Sequence, residues 1–211
     1  MPRSNEPPRA LTQAALAAGA SALASLDSDL AGLLERYGTP PMWGRRPGFA
    51  TLIHIVLEQQ VSIVAARTLY LHLRRQLGEM SPHAVTRRGI RGLRRLGLTR
   101  QKAAYCHGLA RAVRDGRLDL GRIARAPDAS GRDALLAMRG LGPWSVDIYY
   151  LMALRRPDVW PTGDLALAEA LREVKRLPAR PGVVAQQAIS AGWAPWRSVA
   201  ARLLWQHYLR R

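Results

Sequence analysis

The stretch "MRGLGPWSVDIYYLMALRRPDVWPTGDLALAEAL", from Met138 to Leu171, contains two helix starts of different kinds. The first follows the turn Gly140-Leu141-Gly142-Pro143, in which glycine permits positive φ and proline suits the first helical position. The second begins at Asp164, after Pro-Thr-Gly, where an aspartate is a common N-cap. The stretch therefore predicts one helix over 143–155 and another over 164–174.

Outside this stretch, apolar residues recur with helical spacing, and the alternation typical of strands is nearly absent. Residues 11–37 predict a helical segment that ends at Gly38, and residues 48–78 predict two helices with a break near Gln59–Ser62. Ser62 and Thr99 are expected to be N-caps. Further helices are predicted at 119–125, 131–138, 183–191 and 196–210. The expected class is all-α, with roughly ten short helices.

The composition is strongly basic. The 211 residues carry a net charge of +17, with 32 basic and 15 acidic residues, and only Lys102 and Lys175 are lysines. A GC-rich genome explains the preference for arginine over lysine, but it does not explain the shortage of acidic residues. An excess of this size predicts a polyanionic partner, most simply a nucleic acid.

Cysteine content and hydropathy exclude several classes of protein. Cys106 is the only cysteine, which excludes an intrachain disulfide, a thiolate zinc site and a four-cysteine iron–sulfur cluster. No apolar run approaches the ~20 residues that span a bilayer, and the N-terminus has no secretory signal. We expect a cytoplasmic protein, associated with a bacterial nucleoid and not with a membrane.

The segment "RGLGPW" between two helices has the form of a helix-hairpin-helix. Free N–H groups at such a turn can bind a phosphate, although an ordinary helix connection is the alternative. A companion turn at 96–99 places Arg100 and Lys102 in the first turn of the next helix. Phosphate contact and a solvated basic face are equally good interpretations of this pair.

Asp164 is the sharpest catalytic candidate. An N-cap role is its common structural use, and it is compatible with a chemical one. Cleavage of an N-glycosidic bond passes through an oxocarbenium-like sugar, which one nearby carboxylate can stabilise.

Aromatic residues are concentrated in the C-terminal part of the chain, among them Trp144, Tyr149 and Trp205. Each alone is more often a core residue, but together they could stack on a flipped base, and cation–π attraction would favour an alkylated, cationic one. The segment "LEQQVS", with Gln59 and Gln60, is either a solvated turn or a loop that fills the gap left by an extruded nucleotide.

Four motifs in one order, "LEQQVS", "RGLGPWSVDIY", "PDVWPTGDLAL" and "WAPWRSVAARLLWQHYL", resemble the alkylation-repair DNA glycosylases of the 3-methyladenine DNA glycosylase II type, in the helix-hairpin-helix (HhH-GPD) superfamily. The resemblance implies a bilobal all-α fold with the active site between the lobes. It implies a glycosylase domain over 45–211, a hairpin at about 134–155, and an N-terminal leader and helix over 1–44 that pack on the C-terminal lobe. Larger members carry an N-terminal β-rich domain, so this chain resembles the compact ones.

The resemblance also implies roles for single residues. Asp164 would be the catalytic carboxylate, and Gln60 would be the wedge in the duplex gap, where some relatives have leucine. Trp144 and Trp205 would stand at pocket positions of the family. Tyr149, from the aromatic group, and Glu58 are further pocket candidates that the sequence alone suggests. Gln60, Gly140 and Gly142 would contact DNA in this family. Gln59, Pro143, Arg100 and Lys102 are further DNA-binding candidates that the sequence pattern suggests. The backbone carbonyls of Leu136, Met138 and Leu141 would hold a structural sodium or potassium ion, with no other cofactor required.

Departures from related branches narrow the expected activity. Trp144 stands where the bifunctional, endonuclease III-like relatives have lysine, and neither lysine of the chain matches a Schiff-base position. The expected protein is a monomeric, monofunctional glycosylase of base excision repair that flips and excises alkylated bases, of the 3-methyladenine and 7-methylguanine type, from double-stranded DNA. The alternatives are a non-catalytic helix-hairpin-helix DNA-binding protein, a glycosylase for deaminated, oxidised or ethenoadduct bases, and a structural RNA-binding protein.

Overall fold

The computed structural model describes residues 10–211, and throughout this range the regular structure is helical, without a β-strand. The all-α prediction is therefore confirmed. Within the same range, no helix combines the length and the apolar character that crossing a bilayer requires. The part of the predicted N-terminal leader that falls on residues 1–9 lies outside the described residues.

Twelve α-helices and one π-helical segment make up the described chain. They are α1 (Gln13–Leu26), α2 (Ser28–Tyr37), α3 (Phe49–Glu58), α4 (Ile63–Leu77), α5 (Pro82–Arg95), α6 (Arg100–Arg114), α7 (Leu120–Arg125), α8 (Asp128–Leu136), α9 (Pro143–Ile148), the π-helical segment Tyr149–Ala153, α10 (Leu165–Val174), α11 (Val183–Ala191) and α12 (Arg197–Arg210). Two compact units divide them: unit 1 comprises Arg45–Tyr149, and unit 2 comprises residues 10–44 and Tyr150–Arg211.

Local capping signals set several of these boundaries as predicted. The hydroxyl of Ser62 accepts a hydrogen bond from the Ala65 N–H at 3.2 Å, and that of Thr99 accepts one from the Lys102 N–H at 3.2 Å. Such bonds satisfy amide groups that lack partners inside the helix. The two N-caps and the break before Ser62 are therefore confirmed.

Several boundaries differ from the sequence-based expectation. The helix predicted at 131–138 is α8, Asp128–Leu136, and two other elements differ in kind. The predicted segment 11–37 is two helices, because the carboxylate of Asp27 accepts the N–H groups of Asp29 and Leu30 and so starts α2. The predicted helix 143–155 is α-helical only to Ile148 and continues as the π-helical segment. A π turn accommodates one extra residue, a change that apolar spacing does not reveal.

Unit 1 is centred on α3, which contacts α4, α6 and α9. Five of its ten residues, Leu52, Ile53, Ile55, Val56 and Leu57, are at most 1 % exposed. A helix that is apolar on most of its surface must be covered on several sides. The packing of α3 thereby fixes where its C-terminal end meets α6 and the hairpin.

Unit 2 is centred on α12, which contacts α1, α2, α10 and α11. Its buried Arg202 donates to the carbonyls of Met42 at 2.8 Å, Ser198 at 3.0 Å and Leu151 at 3.0 Å. Burial lowers the pKa of Arg202 to about 10. This guanidinium ties three backbone segments to the helix that carries Trp205.

A polar cluster in unit 2 joins the start of α2 to the residues that follow α10 and α11. Lys175 Nζ lies 2.6 Å from Asp27 Oδ1 and 2.8 Å from Asp29 Oδ2, and the indole of Trp193 donates to Asp27 Oδ2 at 2.8 Å. Asp27 therefore serves at once as a helix cap and as the centre of an ion pair. An aspartate before a helical pattern, as in "LDSDL", is an N-cap signal, but its ion pair with Lys175 has no signal in the local sequence.

Candidate nucleic-acid interface and catalytic carboxylate

The helix-hairpin-helix turn of unit 1 runs between the end of α8 at Leu136 and the start of α9 at Pro143. Gly140 has φ of 96°, and a Cβ at this position would overlap the ring of Tyr105 on α6. Glycine is required there, since any side chain would be both strained and displaced. Gly142, in contrast, has φ of −91° and no atoms within 4 Å of a Cβ, so its backbone is open to a ligand.

The turn after α3 carries both predicted glutamines, and they differ sharply. The amide Nε2 of Gln59 donates to the carbonyl of Gly140 and to Ser145 Oγ, both at 2.8 Å. Gln60 is exposed and has φ of 57°, which residues with a Cβ seldom adopt. Gln59 is thus an internal link to the hairpin, whereas Gln60 is presented outward.

Lys102 reaches this same turn from α6. Its Nζ donates to the carbonyls of Leu57 at 2.7 Å and Gln59 at 2.8 Å. Burial lowers the pKa of Lys102. Arg100, its neighbour at the start of α6, is exposed. The two basic residues that the sequence paired therefore occupy different environments.

A cavity of about 560 Å³ in unit 1 brings most of the predicted DNA-binding and ion-binding residues together. Its walls come from the turn after α3, the start of α6 and the hairpin turn. They include Gln60, Lys102, Leu136, Met138, Leu141 and Gly142. The Met138 carbonyl accepts the Leu141 N–H at 3.0 Å. The sequence motifs that lie far apart along the chain thus share one polar recess.

Glu58 and Tyr149, predicted for a substrate pocket, have partners inside unit 1. The two carboxylate oxygens of Glu58 accept from Arg45 at 2.9 and 2.7 Å. The Tyr149 hydroxyl accepts the Gly48 N–H at 3.0 Å, and burial raises the pKa of Tyr149. Both side chains therefore anchor the segment that leads into α3, a role for which Arg45 gave no sequence signal.

Trp144 and Asp147 lie on α9, the second helix of the hairpin. Trp144 is half-buried in the first turn of the helix, directly after Pro143. Asp147 is buried and forms an ion pair with Arg132 of α8. This pair joins the two helices of the hairpin, so Asp147 has a structural role.

Asp164 caps α10 in unit 2. Its Oδ1 accepts the Leu167 N–H at 2.9 Å and the Trp205 indole Nε1–H at 3.3 Å. Both Asp164 and Trp205 are 8 % exposed. A carboxylate held by two donors in a largely dry environment has a fixed position and a strong local field. The structure thus joins the predicted catalytic carboxylate with one of the predicted pocket aromatics.

A family profile and several known proteins match this chain. The profile of the HhH-GPD superfamily of base excision DNA repair proteins matches residues 53–195. A putative DNA-3-methyladenine glycosylase of Bacillus subtilis is 25 % identical over 187 residues, which cover 85 % of this chain and 65 % of that relative.

Solved structures show the same fold. A DNA-3-methyladenine glycosidase from Bacillus halodurans aligns with a TM-score of 0.76 and 25 % identity, covering 90 % of this chain and 88 % of the other. The Schizosaccharomyces pombe 3-methyladenine DNA glycosylase in complex with abasic DNA aligns with a TM-score of 0.79 and 24 % identity, covering 90 % and 95 %.

The lengths of the relatives differ from that of this chain. The chain spans 65 %, 36 % and 40 % of the first three curated relatives that it matches. The profile match nevertheless extends over more than half of the chain and includes the hairpin, the turn with Gln60 and Asp164. The chain belongs to the HhH-GPD superfamily of base excision DNA repair proteins.

Proposed function

We propose that the protein is a monofunctional DNA glycosylase that flips and hydrolytically excises alkylated bases, of the 3-methyladenine and 7-methylguanine type, from duplex DNA. The observation that carries this proposal is the buried Asp164 carboxylate, held by the Leu167 amide and the Trp205 indole. Family membership and the names of the relatives support it. A non-catalytic DNA-binding protein would need this carboxylate only as a helix cap, for which an uncharged side chain would serve equally well.

Asp164 acts on the sugar. As the N-glycosidic bond breaks, positive charge develops at C1′, and an ionised carboxylate stabilises it electrostatically. A water molecule then completes the hydrolysis. A base that alkylation has made cationic is already a good leaving group, so the reaction needs no strong general acid.

Trp205 is proposed to contribute to recognition of the flipped base. Its indole N–H is used by Asp164, and its ring offers an aromatic surface beside the carboxylate. Cation–π attraction favours a positively charged base over a neutral one. Trp144, Tyr149 and Glu58 stay proposals for the same recognition, although Glu58 and Tyr149 also have structural partners.

Unit 1 is proposed to bind the DNA backbone. The net charge of +17 supplies the attraction, and the backbone around Gly140, Gly142 and Pro143 contacts a phosphate without reading sequence. Arg100 adds a charge beside this recess. Gln60, exposed on its turn, enters the gap that the extruded nucleotide leaves. Extrusion of the nucleotide costs a few kcal/mol, and damage to the base pair lowers this cost.

The backbone carbonyl groups of the hairpin are suitable ligands for a monovalent cation. The carbonyl-bearing residues Leu136, Met138 and Leu141 border the same cavity, and neutral oxygens suit a hard monovalent ion. Among residues 10–211, no cluster of three His, Cys, Asp or Glu side chains competes as a metal site. When bound, the ion would supply positive charge for a DNA phosphate. No other cofactor is part of the proposal.

The lysines support hydrolysis without lyase activity. A Schiff base needs a free amine at the reacting carbon. Lys102 Nζ donates to two backbone carbonyls, and Lys175 Nζ is paired with Asp27 and Asp29. We also propose that the protein acts as a monomer in the bacterial cytoplasm, on nucleoid DNA.

The test is release of bases from methylated duplex DNA, followed by a panel of single-lesion duplexes. We expect release of 3-methyladenine and 7-methylguanine, and strand cleavage only after separate treatment of the abasic site. DNA binding without release of any base would contradict the proposal in favour of the non-catalytic alternative. A preference for deaminated or oxidised neutral bases would contradict the proposed substrate class.

A further inference from the structure

The turn at Gln59–Ser62 is held from two sides by groups outside it. On one side lies Lys102 of α6, and on the other lies the hairpin turn around Gly140. Both bonds end on Gln59, and the next residue, Gln60, has a positive φ of 57°. A residue with a Cβ persists in this conformation only where its surroundings impose it.

Lys102 binds the C-terminal end of α3. The last carbonyls of a helix lack intrahelical partners, and a cation there is favourable. Lys102 Nζ donates to the Leu57 carbonyl at 2.7 Å and to the Gln59 carbonyl at 2.8 Å, one on each side of Glu58. The lysine is itself fixed, because its backbone N–H is held by the N-cap hydroxyl of Thr99 at 3.2 Å.

The side chain of Gln59 binds the hairpin. The Gln59 amide donates to the Gly140 carbonyl and to Ser145 Oγ, so it bridges the hairpin turn and α9. The ring of Tyr105, one turn after Lys102 on α6, occupies the space above Gly140. Helix α6 thus supports both the turn that carries Gln60 and the hairpin.

We propose that Lys102 is a positioning residue that holds Gln60 ready to enter the duplex, and that Gln59 couples this turn to the phosphate-binding hairpin. The proposal rests on the proposed function, in which Gln60 fills the gap left by the flipped nucleotide. It replaces direct phosphate contact as the principal role of Lys102. An ammonium group has three donors, and two of them already serve the carbonyls of Leu57 and Gln59.

The decisive variant is Lys102→Met, which keeps most of the length of the side chain and removes both hydrogen bonds. Lys102→Arg is the conservative variant, because its guanidinium can donate to both carbonyls. Arg111→Met is the matched control, since it removes one positive charge from an exposed position on the same helix. Thermal denaturation of each variant shows whether it folds.

Each variant is assayed by single-turnover excision of 7-methylguanine in two duplexes. In one the lesion is paired with cytosine, and in the other it lies opposite an abasic site, where unstacking costs less. We expect Lys102→Met to slow excision about tenfold on the paired lesion and no more than about twofold opposite the abasic site. Lys102→Arg restores most of the rate, and Arg111→Met matches the wild type on both duplexes.

A second measurement does not depend on chemistry. A 2-aminopurine placed beside an abasic-site analogue brightens when protein unstacks it, and we expect a smaller signal at saturation for Lys102→Met. Equal loss of excision on both duplexes, or an unchanged 2-aminopurine signal, would overturn the positioning role. A salt slope of DNA affinity lower by about one would assign Lys102 to a phosphate instead. If the wild type brightens 2-aminopurine but excises nothing, the proposed function fails while the positioning role stands.

Discussion

The indole Nε1 of Trp205 and the amide of Leu167 donate to the same oxygen of Asp164, at 3.3 and 2.9 Å. One carboxylate oxygen therefore caps α10 and ties it to α12. The helix cap and the proposed chemistry are two uses of a single fixed group. A substitution that keeps these hydrogen bonds but removes the negative charge of Asp164 can therefore test the catalytic role separately from the structural one.

We predict that Asp164→Asn slows excision by about a hundredfold or more, because it removes the charge that stabilises the developing cation. Its stability should change little, since the asparagine oxygen still accepts from Leu167 and Trp205. Single-turnover excision of 3-methyladenine and thermal denaturation measure the two effects. Asp119→Asn, the same change at the exposed N-cap of α7, is the control and should not affect excision. Excision by Asp164→Asn at the wild-type rate would refute the mechanism.

Trp205→Phe keeps an aromatic ring and removes the donor to Asp164. A hydrogen bond to a charged group contributes about 1.5–3 kcal/mol, so we expect excision to slow roughly tenfold or more. Affinity for duplex DNA should stay constant, as measured by fluorescence anisotropy. Trp193→Phe removes the matching indole bond to Asp27 and should lower only stability. Similar excision rates for both variants would show that the Trp205 bond is dispensable.

Gln60→Gly should affect stability and activity in opposite directions. Glycine adopts positive φ without strain, so relief at φ of 57° should stabilise the fold by up to about 1 kcal/mol. Loss of the side chain should slow excision from duplex DNA because nothing fills the gap. Chemical denaturation measures the expected gain in stability, and single-turnover kinetics measure the expected loss of excision rate. An unimpaired rate would exclude Gln60 as the wedge.

The two hairpin glycines should respond differently to the same substitution. Gly140→Ala places a Cβ against Tyr105 at φ of 96°, and we expect a loss of more than about 2 kcal/mol of stability. Gly142→Ala meets no atom within 4 Å and should fold normally. It should nevertheless weaken DNA binding if a phosphate approaches this backbone. Circular dichroism and DNA titration distinguish the two, and normal affinity of Gly142→Ala would place the phosphate elsewhere.

The Asp27–Lys175 pair should make stability depend on pH at both ends. Burial would raise the pKa of Asp27, but hydrogen bonds from Lys175 and Trp193 outweigh it and lower that pKa. Burial would lower the pKa of Lys175, but its bonds to Asp27 and Asp29 raise it. The aspartate contribution is present above the unfolded pKa of about 3.9 and is lost as the pH falls through the lower folded value. The lysine contribution is present below about 10.4 and is lost as the pH rises through the higher folded value.

Lys175→Met tests this directly. Removing one partner of this half-buried pair should cost about 1–2 kcal/mol near neutral pH, with a smaller difference from wild type at either extreme. Urea denaturation at several pH values measures it. A difference that is constant with pH would show that packing, not charge, accounts for the effect.

Several elements of the fold could be predicted because their causes are local. Ser62, Thr99 and Asp164 cap helices through bonds to amides three residues ahead, and Pro143 starts a helix because its φ is fixed. Such causes involve residues no more than one helical turn apart in the sequence. The net charge and the order of the four motifs likewise needed no coordinates, and they indicated the family.

Other relationships depend on which helices pack together, and only the tertiary structure decided them. Lys102 reaches carbonyls more than forty residues away, and Trp205 reaches Asp164 across 41 residues. The sequence suggested Lys102 for a phosphate and Glu58 for a pocket, but it could not show their bonds to backbone carbonyls and to Arg45. Periodicity tells which face of a helix is buried, whereas the partner of a polar side chain depends on what the fold brings within 3 Å of it.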